Sequence, residues 1–155
     1  MLGGIAVEAK YKLSKSTFKK LKEHLIEVRA NRGKIIDDFF SEVTKERHEF
    51  ESLMELYIYE VDRFIQNAEP VESQENTLPF VIMGSEVKVS DKSDSTFKFT
   101  VVAPFQSQRE SHNIFDVSCL SPVGRALLLK KVGDTVEVEA PGGVFHYEIK
   151  SISFP

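Results

Sequence analysis

The sequence predicts an α+β chain made of two bodies, a helical hairpin followed by a small antiparallel sheet that carries one short helix. Three observations lead there. All six prolines of the 155 residues lie from Pro70 onward, and between Leu13 and Ala68 the one glycine is Gly33. Helix breakers absent from one part and dense in the other mark two architectures. Apolar residues recur at spacings of three and four in the first part and alternate over short runs in the second. Charge divides the first part again, mostly basic from Lys10 to Lys34 and mostly acidic from Asp37 to Glu69.

In the first part, Phe18, Leu21, Leu25, Val28, Arg32, Ile35 and Phe39 form a heptad seam with one polar interruption. Ser14 and Ser16 both suit an N-cap. A second stripe holds Phe50, Leu53, Tyr57, Val61 and Phe64, so the two seams are expected to close as an antiparallel coiled coil over residues 1–69. The reversal falls within "SEVTKERHE", where no glycine or proline marks it. One continuous helix pairing with a second chain is the competing arrangement. Tyr57 is assigned to the seam.

After the polar linker "NAEPVESQENT", residues 70–155 read as strands at "LPFVIM", "EVKVS", "TFKFTVVAP" and "NIFDVSC", rich in β-branched and aromatic residues. Ser121 caps a short helix whose first turn holds Pro122. "VGRALLL" supplies the helix, Lys130 and Lys131 sit at its negative end, and Gly133 stops it. "DTVEVEA" and "VFHYEIKSISF" pair as a hairpin across "PGG".

The composition excludes several classes. A net charge of −4 argues against a free nucleic-acid binder. No stretch approaches the roughly 20 apolar residues of a membrane span, and the start lacks the apolar core of a signal peptide, so cytoplasmic residence is expected. The single cysteine, Cys119, reads as a buried thiol. His24, His48, His112 and His146 lack metal-ligand spacing, so no metal site is expected. His112, Asp116 and Ser118 lie in one short segment and make no convincing triad.

The run "SPVGRALLLKKVGDTVEVEAPGG", followed by "YEI", resembles the C-terminal domain of the bacterial GreA/GreB transcript cleavage factors. Ser121, Pro122, Gly124, Arg125, Ala126, Leu127, Leu128, Lys130, Val132, Gly133, Asp134, Pro141, Gly142 and Gly143 carry the match. Leu129 departs from it, since the family commonly has glycine there, a change expected to matter little if the position is helical. "NRGKII" and "IQNAEPVE" resemble stretches near the ends of the family's hairpin arms. The resemblance implies an FKBP-like (FK506-binding-protein-like) second domain that docks on the rim of the secondary channel of RNA polymerase. It implies a coiled coil that enters the channel, where acidic residues at its tip help to hold a catalytic magnesium ion. Cleavage would then belong to the polymerase, so the chain would be no enzyme and would carry no cofactor of its own. The polymerase's magnesium would matter only if the tip acids reached it. Nucleic acid would be met only through the elongation complex, with no membrane involved and the protein a monomer.

By that resemblance, docking falls to Ser118, Ser121, Pro122 and Arg125, with simple capping or a surface pair to Asp116 or Asp134 as the plainer roles. Tip candidates are Asp37, Asp38, Glu42 and Glu46. The family's tip pattern, like "GDLSENAEY", does not occur here. The arms look shorter by about six residues each, which at about 1.5 Å per residue draws the tip back by roughly 9 Å. The expected activity is therefore modulation or inhibition of transcription rather than ordinary stimulation of cleavage. Competing readings are a true cleavage factor with displaced tip acids, a coiled-coil adaptor, and a prolyl isomerase using Phe97, Phe99, Phe105 and Phe115.

Overall fold

The computed structural model describes residues 11–103, 110–111 and 114–155. The chain divides into two compact units, Met1–Glu75 and Asn76–Pro155. The division falls beyond the expected 69/70 boundary, because a strand at Ala68–Val71 belongs to the first unit.

In the first unit, β1 (Tyr11–Ser14) leads into α1 (Lys15–Phe39), and α2 (Lys45–Asn67) leads into β2 (Ala68–Val71). At about 1.5 Å per residue, the 25 residues of α1 span about 37 Å. Ser14 caps α1, its hydroxyl accepting from the Thr17 amide, and Thr44 caps α2 the same way through the Arg47 amide. Of the two candidate caps, Ser14 is the one used. The hairpin replaces the continuous-helix alternative, and the reversal occupies residues 40–44.

The seam follows the expected stripe, displaced by one residue at its start, where Thr17 rather than Phe18 is buried, and at two further places. Leu21, Leu25, Val28 and Ile35 are buried on α1, and Phe50, Tyr57, Val61 and Phe64 on α2. Ile36 and Met54 are buried where Phe39 and Leu53 were expected; Phe39 is 47% exposed. A straight helix turns every 3.6 residues, so a strict heptad stripe drifts off the contact line within a few turns. Arg32 resolves its polar place in the seam by pairing with Glu55 at 2.9 Å. Arg29 reaches Asp62 at 3.5 Å, and His24 meets the Tyr57 hydroxyl through Nε2 at 2.6 Å.

The base of the hairpin is tied by a two-stranded parallel ladder, Tyr11 opposite Ala68 through Ser14 opposite Val71. Leu13 beneath it is fully buried, and the Tyr11 and Phe64 rings meet edge-on at 5.2 Å. This strand was hidden in the presumed linker. Pro and Glu are poor strand formers, but an edge strand tolerates both.

The second unit is a six-stranded sheet: β3 (Glu86–Ser90), β4 (Thr96–Val102), β5 (Glu110–Ser111), β6 (Ile114–Ser118), β7 (Thr135–Ala140) and β8 (Gly143–Ser153), with α3 (Pro122–Leu127) between β6 and β7. Their spatial order is β5-β6-β4-β3-β8-β7, antiparallel except for the β4–β6 pair. "LPFVIM" is not a strand. It makes one isolated bridge, at Phe80, with another just before it at Thr77, while Leu78, Val81, Ile82 and Met83 fill the core. Phe97, Phe99, Phe115, Tyr147 and Phe145 form a continuous row of ring contacts at 5.4–6.4 Å between centroids. Phe99 is buried, so three of the four phenylalanines assigned to an apolar pocket belong to this packed row. Phe105 lies outside the described residues.

Candidate functional site

Two places carry the expected functional residues, one in each unit. In the second unit, β6 delivers Ser118 to the loop that opens α3. The Ser118 hydroxyl accepts from the Leu120 amide at 3.1 Å. The Ser121 hydroxyl donates to the Ser118 carbonyl at 2.7 Å and accepts from the Gly124 amide at 3.1 Å. Both serines thus shape the loop, and Pro122 projects as its exposed corner. The loop closes tightly because position 124 has no side chain. A Cβ there would lie 1.9 Å from the Ser118 carbonyl oxygen. No sequence pattern exposes that contact; it comes from the fold.

Cys119, between the two serines, is buried as expected, and burial raises its thiol to about 11. Arg125 lies close enough for its charge to act against that rise, and its side chain is half-buried along α3. Asp134 accepts the Lys131 amide at 2.9 Å, within a turn completed by Gly133 at φ +92°. Helix α3 therefore ends before the lysines, and Gly133 does not stop it. The stop is a turn over Leu127–Lys130, closed by the Lys130 amide on the Leu127 carbonyl at 3.0 Å. Leu128 has φ −55° and ψ 129°, and Leu129 has φ +69°. This is the pattern of a type II turn, whose third residue favours glycine. The expectation that Leu129 is helical is corrected: leucine here occupies a left-handed position.

In the first unit, one of the four tip candidates, Asp37, is paired with an arginine across the turn. The Arg47 guanidinium reaches Asp37 at 2.9 Å through Nη2 and donates to the Phe40 carbonyl at 2.5 Å through Nη1. Its Nε lies 3.8 Å from Glu51, which His48 also approaches at 3.4 Å. Asp38 pairs with Lys34 at 2.8 Å, and that bond and charge raise the Lys34 ammonium pKa. Glu46 falls in the first turn of α2, where the helix dipole favours an acid. Glu42 sits exposed in the turn. Among the described residues, no three of His, Cys, Asp and Glu gather as a metal-binding group. His112 lies outside them. Arg47, the centre of this arrangement, was not singled out in the sequence; its only signal was a cation opposite two acids across an unmarked turn.

A family model for the C-terminal domain of transcription elongation factors GreA/GreB matches residues 75–154, all of the second unit but its last residue. The chain belongs to the GreA/GreB family. A Clostridium acetobutylicum transcription elongation factor GreA is 30% identical over 157 aligned residues, covering 94% of this chain and 98% of that protein. A Clostridium beijerinckii GreA is 38% identical over 97 residues, 62% of this chain, and that match spans 59% of the relative's length. Among solved structures, a GreA/GreB factor from Nitrosomonas europaea aligns with 23% identity and a TM-score of 0.46, covering 95% of this chain and all of that one. GreA factor homolog 1 (Gfh1) of Thermus thermophilus aligns with 22% identity and a TM-score of 0.41, covering 92% and 98%. For this GreA/GreB-family chain, no helix among the described residues is long and apolar enough to cross a membrane.

Proposed function

We propose that this protein is a monomeric, cytoplasmic regulator of transcription elongation that grips RNA polymerase with its second unit and inserts its hairpin into the secondary channel. In this reading Ser118, Ser121, Pro122 and Arg125 mark the gripping face, and the protein modulates or inhibits synthesis rather than stimulating transcript cleavage. The family membership supports the partner, since the relatives are named as transcription elongation factors. The observation that carries the inhibitory reading is the engagement of the apical acids: Asp37 is held by Arg47 and Asp38 by Lys34.

A magnesium ion needs oxygen ligands at about 2.1 Å in near-octahedral geometry. A carboxylate already paired with a cation offers a metal fewer lone pairs and a neighbouring like charge. The solvent-facing apex instead offers Val43, 77% exposed, and Phe39, 47% exposed. Bulk and apolar surface obstruct a channel but do not activate a metal. Any RNA cleavage in the complex would be the polymerase's own, and the protein would bring no cofactor.

Backtracked elongation complexes decide the matter. The protein is expected to leave their transcripts intact at concentrations that slow nucleotide addition and that displace a GreA-type cleavage factor. Robust transcript shortening at those concentrations would refute the inhibitory reading.

A further inference from the structure

The turn between α1 and α2 contains no glycine or proline, and one side chain closes it. Arg47 is the third residue of α2, and its own amide is the one the Thr44 cap holds, at 3.2 Å. Its guanidinium then reaches back to the end of α1, bridging the Phe40 carbonyl and the Asp37 carboxylate. One turn along α2, Phe50 stacks on Phe40 at 5.2 Å. Phe50 is 1% exposed, and the Arg47 side chain is 20% exposed. The same face of α2 thus grips the turn twice, once through polar contacts and once through rings.

We propose that Arg47 is a positioning residue that withholds the Asp37 carboxylate from divalent cations, keeping the apex a plug rather than a metal-delivering tip. The inference rests on the proposed entry of the hairpin into the polymerase channel and names what sets the behaviour of its tip. A guanidinium 2.9 Å from Asp37 occupies one lone-pair direction and opposes an approaching dication by its own charge. Lys34 does the same for Asp38 from an exposed position. Arg47 is the stronger restraint because its planar fork holds two acceptors at once, whereas a lysine ammonium is a flexible point charge.

The test uses the full chain with manganese(II) alone as the probe, read by paramagnetic broadening of the backbone amides of residues 37–42. Arg47→Met is expected to lower the manganese concentration for half-broadening by at least about fivefold, since a freed carboxylate is a preferred ligand for a hard cation. Adding Asp37→Asn to Arg47→Met is expected to abolish that gain. An unchanged curve for Arg47→Met, or a gain that survives Asp37→Asn, would overturn the proposal. Should Arg47→Met unfold the hairpin, Asp37→Asn alone still decides. It is expected to leave the manganese curve unchanged, and a weaker response would show that Asp37 was already a ligand. On polymerase, Arg47→Met is expected to bind as the parent chain does while slowing nucleotide addition less. Failure of the parent chain to bind polymerase would sink the channel reading, and the manganese comparison would stand or fall by itself.

Discussion

Replacing Leu129 by alanine and by glycine tests the local geometry of the second unit through the sign of a difference. Leu129 holds φ +69° at the third position of the turn that ends α3. Its amide donates to the Val81 carbonyl at 2.9 Å, and the Val81 amide donates to the Lys130 carbonyl at 2.9 Å. Buried Leu127 and Leu128 anchor the preceding side. The chain around position 129 is therefore fixed, and the residue must adopt the left-handed conformation whatever its side chain. That conformation costs an L-residue roughly 1–2 kcal/mol. Leu129→Ala removes a half-buried side chain and keeps that cost. Leu129→Gly removes both, at the expense of a more flexible unfolded chain, about 0.5–1 kcal/mol. Glycine is thus expected to be more stable than alanine here by about 1 kcal/mol. In a helix interior, alanine would exceed glycine by about 1 kcal/mol. Urea unfolding of the full chain, followed by the amide signals of Val89 and Ile149 in the sheet core, reads the difference. An alanine variant more stable than the glycine variant would refute the turn and restore a helical position 129.

The remaining predictions concern the hairpin and the loop that opens α3. Gly33 lies inside α1 with nothing within 4 Å of an added Cβ, so Gly33→Ala is expected to stabilise the hairpin by about 1 kcal/mol in thermal melts. Gly124→Ala forces a Cβ onto the Ser118 carbonyl and is expected to cost about 3 kcal/mol by urea unfolding; a cost below about 1 kcal/mol would deny the close approach. Burial lowers the His24 pKa from 6.5 to about 4, so the folded hairpin holds a neutral imidazole that the unfolded chain protonates first. Stability contributed by that neutral ring is full above pH 6.5 and falls as the pH drops toward 4, by up to about 3 kcal/mol. His24→Gln is expected to flatten that slope in circular-dichroism melts between pH 7 and 4, and parallel slopes would contradict it.

The parts of this fold most legible in the sequence are those set by local chemistry. Seam residues such as Leu21, Leu25, Tyr57 and Val61 announce themselves by period, and Ser121 with Pro122 announces a helix start. Hairpin β7–β8 follows from alternation on either side of a glycine pair. What escaped depends on contacts distant in sequence. β2 exists because β1 pairs with it, though "AEPV" has no strand character of its own. "LPFVIM" has strand composition, yet its apolar residues are consumed by the core rather than by a ladder. The turn at residues 40–44 needs no glycine because Arg47 and the Phe40–Phe50 stack hold it from outside. For the same reason the acids at the apex could be read from the sequence, but not that Asp37 and Asp38 were already engaged.

The central claim is that one unit grips the polymerase while the other is thrust into it, and photocrosslinking from two positions tests that most directly. A photoreactive side chain at Val43 and another at Pro122 both stand in water on the free protein. The account predicts that probes at Val43 attach to polymerase residues lining the secondary channel beside its active centre, while probes at Pro122 attach to the channel's outer rim. Attachment of both to one outer surface, or of neither to polymerase, would contradict it.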